Sequence, residues 1–158
     1  MSQAMTNDAA PHPPYAPVVT HADNDKWIET LPGEKLRVHV RSSLVNGAYA
    51  VLESEALPGV GGPLHYHKED EVFFILQGTM TFSLAGEIVE AGVGSTVLVP
   101  AFTHHTWQNR TNAPVRMLAV FTPGGIEPMF EGMAGLTPEQ LVPFAASFGT
   151  IVVGPPMS

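Results

Sequence analysis

The chain has 158 residues, a formal net charge of −8, no cysteine and only 14% charged residues, while glycine and proline number fifteen each. A domain of this size buries about 70% of its unfolded surface, and the lack of cysteine excludes disulfides and thiolate metal sites. The acidic balance offers no basic patch for nucleic acid, and no apolar run suits a signal peptide or a membrane span, so a cytoplasmic protein without membrane contact is expected.

Residues 1–17 are proline-rich, polar and aperiodic, and read as a flexible N-terminal arm in which His12 is solvated. Residues 18–158 then form a single domain. From Lys35 onward, "KLRVHVRSSL" alternates Leu36, Val38 and Val40 with Arg37, His39 and Arg41, the period of a half-buried strand. Further strand-like runs follow at short intervals: "GAYAVLESEAL", "EVFFILQG", "TMTFSLAG", "STVLVPA", "HTWQN" and "VRMLAVFTP". Most are bounded by glycine, proline or asparagine, and no helical pattern intervenes, which predicts an all-β sandwich or barrel over about residues 35–123. One helix is expected over residues 137–149, with Thr137 as N-cap, Pro138 at the first turn and Gly149 as the stop; Pro143 would interrupt a longer helix.

The chemistry concentrates in "HYHKEDE". Side chains two residues apart on an extended chain share a face, so His65 and His67 point together, and Glu71 joins them if the chain stays extended. Two imidazoles and a carboxylate are costly to bury unless something satisfies them, and a divalent cation does so by taking the lone pairs and cancelling the charge. The pair His104 and His105 lies about forty residues downstream. Only one of them can face inward, and His105 shares parity with Trp107 and Asn109. His104 then falls on the outer face or at the pocket mouth, and His21 and His39 are surface residues. Glu69 and Asp70 read as a solvated turn.

These residues resemble the two signature segments of the cupin superfamily. The first is matched by Gly59, His65, His67, Glu71 and Gly78, and the second by Gly94, Pro100, His105 and Asn109, with Phe102 where the pattern has glycine. The resemblance implies a monocupin, a conserved double-stranded β-helix (jelly-roll) barrel with segments 59–78 and 94–109 around its metal site and a short C-terminal helix outside. It also implies that His65, His67, Glu71 and His105 hold one divalent metal ion, which could be Fe, Mn, Ni, Co, Cu or Zn. A further likeness in "HYHKEDEVFFILQGTMTF", "FTPGGIEPMFEGM" and "FGTIVVGPP" is to the quercetinase-like subgroup, the flavonol dioxygenases.

The leading expectation is a metal-dependent dioxygenase for a small aromatic or enolisable substrate, with Glu71 as catalytic base as well as ligand. The alternatives are a redox-neutral isomerase or cyclase, and a binding protein that catalyses nothing. Phe73, Phe82, Trp107 and Phe121 are candidates to line the substrate pocket, and Met80, Leu84 and Met117 to complete the core. "GGIEPMFEGM" is either a lid over the mouth or a packed loop. A homodimer is expected, because the strand edges of a small barrel need cover.

Overall fold

The structure is a computed structural model, described here for residues 11–22 and 26–158. The expected arm therefore lies partly outside the described residues. Of it, residues 11–17 are exposed without helix or strand, and the Asn46 side chain donates to the Pro14 carbonyl at 3.1 Å.

Among the described residues, eleven strands and two α-helices follow in chain order, with a 3-10 turn at Ser42–Val45: β1 (Ile28–Glu29), β2 (Glu34–Val40), β3 (Ala50–Ala56), β4 (Pro63–Tyr66), β5 (Asp70–Gln77), β6 (Met80–Leu84), β7 (Glu87–Ala91), β8 (Thr96–Val99), β9 (His105–Gln108), β10 (Val115–Thr122), α1 (Glu127–Glu131), α2 (Pro138–Ser147) and β11 (Ile151–Pro156). They make two antiparallel sheets, ordered β1-β2-β3-β10-β5-β8 and β11-β4-β9-β6-β7. Chain neighbours repeatedly fall in opposite sheets, as in a jelly roll, and the inner faces of the two sheets enclose the core.

Parity sets those inner faces. On β5, Glu71, Phe73 and Ile75 are buried while Asp70, Phe74 and Gln77 are exposed. One end of the barrel is filled by Phe73, Ile75, Met80, Phe82, Val115 and Met117, with Leu84 and Trp107 packed against them. At the other end, Leu36, Leu52 and Phe121 meet Ile126, Met129 and Met133. Gly78 turns β5 into β6 at φ +79°, and a Cβ there would lie 2.9 Å from Val115 Cγ2, so the turn requires glycine.

The strands that sequence reasoning missed, among them β4, β7 and β11, are short or carry charges and prolines that blur the alternation. The C-terminal helix is present as α2, with Thr137 and Gln140 forming a capping box. Pro143 does not interrupt it. The helix runs on to Ser147, giving up only the bond that the missing N–H would make to the exposed turn behind it. The "GGIEPMFEGM" segment is a packed cover that contains α1. Glu127, buried there, accepts from Ser42 N at 2.6 Å and Gly125 N at 2.9 Å, and Arg41 clasps Glu131 at 2.7 Å.

On the outer face of β3, Glu53 is also buried. It accepts from Arg37 Nη2 at 2.8 Å, pairs with His39 Nε2 at 2.7 Å and accepts from Arg116 Nε at 3.0 Å. His39 is thus a structural partner. Among the described residues, no helix is long and apolar enough to cross a membrane.

Candidate metal centre

The site is built where the chain changes sheets. His65 lies on β4, directly opposite His105, the first residue of β9, so the two imidazoles share one face. After Tyr66 the chain leaves β4, and residues 67–69 carry it across to β5 in the other sheet. Glu71 therefore reaches the histidines from the opposite sheet and does not continue their strand face. The extended-chain expectation placed the residues correctly for a reason that the crossing replaces.

The imidazole nitrogens of His65, His67 and His105 that could hold an ion all lie within 4.8 Å of one another. Glu71 Oε2 is 3.1 Å from Nε2 of His67 and 3.1 Å from Nε2 of His105. Ligand atoms about 2.1 Å from one metal, at right angles, stand about 3 Å apart, so these spacings suit adjacent corners of one coordination shell.

The opposite edges of the rings explain the orientation. Each Nδ1 meets a backbone carbonyl: His65 that of Pro63 at 2.8 Å, His67 that of Glu69 at 3.1 Å, and His105 that of Thr103 at 2.8 Å. The tautomer assigned from these bonds is Nδ1–H, which turns every Nε2 lone pair toward the common centre. Two neutral Nε2 atoms would then face a carboxylate oxygen, acceptor against acceptor. Such an arrangement calls for a proton or a cation between them, and the donor set fits a divalent cation.

The electrostatics agree. Burial, then the neighbouring His105, pushes His65 down to about 4, so its lone pair is free at neutral pH. Burial opposes charge on His67, but Glu71 and Glu69 together outweigh it and raise the group. Glu71 would be driven up by burial, yet the imidazoles of His105 and His67 beside it hold it below the usual carboxylate range.

Two sequence expectations near the site are corrected. Glu69 is not part of a solvated turn: it is 2% exposed, with Oε2 3.5 Å from His67 Nδ1, because residues 67–69 pass between the sheets. Asp70 is exposed and accepts from Ala101 N at 2.8 Å. Phe82 does not line the cavity. It is fully buried one layer behind, its ring centroid 5.1 Å from that of Phe73. His104 is exposed and stacks on Tyr66 with centroids 5.3 Å apart. Phe102 keeps the backbone of a glycine, at φ +65°, with its ring 65% exposed.

The histidines open onto a cavity of about 100 Å³. Phe73, Trp107 and Phe121 line it, with Ile126, Met129 and Met133 from the cover. Leu141 and Ala145 of α2 complete the wall. No lysine or arginine lines it among the described residues. The cover was one of the two expectations for residues 124–133, whereas Glu34, a second carboxylate in the wall, was missed. Its parity with Leu36 and Val38 was the available signal.

The fold and site thus define a small β-barrel with a candidate metal centre inside its mouth. The sequence pattern of the cupin domain matches residues 53–121. An uncharacterized protein of Methanocaldococcus jannaschii is 28% identical over 109 residues, covering 67% of this chain and 86% of that protein. KdgF from Halomonas sp. superposes with a TM-score of 0.65 at 17% identity, over 72% of this chain and 99% of that one. The polyketide cyclase RemF from Streptomyces resistomycificus does so with a TM-score of 0.60 at 19% identity, over 68% and 80%. These likenesses support the cupin superfamily, and the fold is the cupin jelly roll.

Proposed function

We propose that this chain is a metal-dependent cupin of quercetinase-like character, a dioxygenase for a small, neutral aromatic or enolisable molecule. The observation that carries this reading is the pairing of a three-histidine, one-carboxylate cluster with an apolar cavity whose wall, among the described residues, has no lysine or arginine. Beyond the metal itself, a phosphorylated or carboxylated substrate would find two buried glutamates there and no lysine or arginine among the described residues, whereas a flat neutral ring suits Phe73, Trp107 and Phe121.

His65, His67, His105 and Glu71 would hold the metal, which when bound supplies Lewis acidity and open coordination positions. The protein's own groups do the rest. The cover and α2 exclude water, and the aromatic walls fix the ring plane. Glu71, balanced between two imidazoles, takes the proton from a substrate hydroxyl and raises the electron density of the ring.

The test is oxygen uptake by metal-loaded protein against a panel of flavonols and diketones. Stoichiometric uptake with one of them supports the dioxygenase. Product formed without uptake means a redox-neutral isomerase or cyclase using the same residues, and binding without product means a binding protein.

We also propose that two copies pair through the outer face of the first sheet. There Phe74 and Leu98 are exposed on neighbouring strands, with Val72, Leu118 and Val120 between and beside them. A strictly monomeric mass by light scattering at micromolar concentration would contradict this.

A further inference from the structure

Glu34, the second carboxylate of the cavity, has no role in the metal cluster. It opens β2 facing inward like Leu36, and Ser54 is its diagonal neighbour on β3, because Glu34 pairs with Ala56 and Leu36 with Ser54. It is 6% exposed and lines the cavity with Ser54 and Thr150. Thr30 Oγ1 donates to Glu34 Oε2 at 2.6 Å, and the Leu31 backbone adds a second hydrogen bond. A carboxylate offers about four acceptor sites, so part of its capacity is left over. Thr150 Oγ1 is as deeply buried in the same wall and has no hydrogen-bond partner among the described residues. Buried polar groups of this kind are ordinarily satisfied, and in a cavity wall a ligand, or the water it displaces, is what satisfies them.

We propose that Glu34 is the specificity-determining residue of the cavity: its carboxyl hydrogen-bonds a hydroxyl of a neutral, hydroxylated aromatic ligand, and Thr150 Oγ1 provides a second polar contact. The inference rests on the cavity being the small-molecule site, not on the reaction carried out there. Burial, reinforced by the Glu71 carboxylate, pushes Glu34 up to about 7. A hydroxyl both donates and accepts, so it matches the carboxyl in either protonation state. A site built to bond a hydroxyl strongly rejects the analogue that lacks one, because its own buried group is then left unpaired.

The test is calorimetric binding of two probes to metal-loaded protein: resorcinol, and 3-methoxyphenol, in which one hydroxyl is methylated. The wild type is expected to prefer resorcinol by at least about tenfold, and Glu34→Met to reduce the preference to within about twofold at unchanged metal content. Equal binding of both probes by the wild type, or a preference that survives Glu34→Met, overturns the role of Glu34 and leaves the cavity reading standing. Binding of neither probe overturns both. Should Glu34→Met not fold, the nearly isosteric Glu34→Gln carries the test. It still accepts from Thr30 but turns an amide donor toward the ligand, so the preference should fall by at least about threefold. An unchanged preference in that variant overturns the proposal.

Discussion

Glu71 and His105 come from opposite sheets of the barrel, yet Oε2 of the one lies 3.1 Å from Nε2 of the other. That contact closes the candidate metal centre across the core. Glu71→Gln should retain much of the metal, because an amide oxygen of nearly the same shape can still coordinate. Turnover should fall by roughly 10²–10⁴-fold, the contribution of a positioned proton acceptor. Metal content and rate measured on one preparation separate the two effects. A variant with full metal and full activity would remove Glu71 from the mechanism.

Glu53 ties β2, β3 and β10 together through Arg37, His39 and Arg116. Burial alone would raise its pKa, but His39, Arg116 and Arg37 hold it at about 2. A carboxylate depressed in the folded state stabilises above its unfolded pKa, and that contribution is lost as pH falls through the folded value. Stability should therefore decline between about pH 4.5 and pH 2. Glu53→Ala should cost roughly 3 kcal/mol at neutral pH by denaturant titration and should flatten that decline.

Glu34 has the opposite sign. With its pKa raised to about 7, it stabilises fully below the unfolded value and loses that contribution as pH rises toward 7. The loss should approach about 3 kcal/mol before levelling off. Glu34→Gln should remove this slope. An unchanged slope in chemical denaturation between pH 4.5 and 7 would assign it to other groups.

Phe102 holds a left-handed backbone at φ +65° while most of its ring faces solvent. A left-handed L-residue costs about 1–2 kcal/mol, and glycine returns part of that gain through the entropy of the unfolded chain. Phe102→Gly should raise stability by roughly 0.5–1 kcal/mol. A loss of stability would show that the contact of Phe102 with Tyr66, at a ring separation of 6.4 Å, outweighs the strain.

The barrel and the clustering of its candidate metal-site residues were legible because alternation and histidine spacing are local signals. His65, His67 and His105 could be placed from parity alone, and Glu71 arrived with them although the chain changes sheets in between. What was not legible depends on the third dimension. Glu69 looks like a solvated acid until the crossing from β4 to β5 covers it, and Phe82 shares the inward parity of a pocket residue but lies a layer too deep. Glu34 reads as a charged strand start; its parity with Leu36 hints at the inner face, but only the packed fold shows that this face meets the cavity. The sequence left the segment of Met129 and Met133 as either a lid or a packed loop, and the anchor from Glu127 to Ser42 is what holds it as a cover.

The central claim is that His65, His67 and His105 hold one metal ion, and elemental analysis of the purified protein beside single-alanine variants tests it most directly. About one divalent ion per chain is expected in the wild type, with sharp loss in His65→Ala, His67→Ala and His105→Ala, because a water replaces an imidazole in each. His104→Ala should retain the ion, since His104 stacks on Tyr66 outside the barrel. Loss of the ion in His104→Ala with retention in His105→Ala would reverse the inward face of β9 and contradict the site.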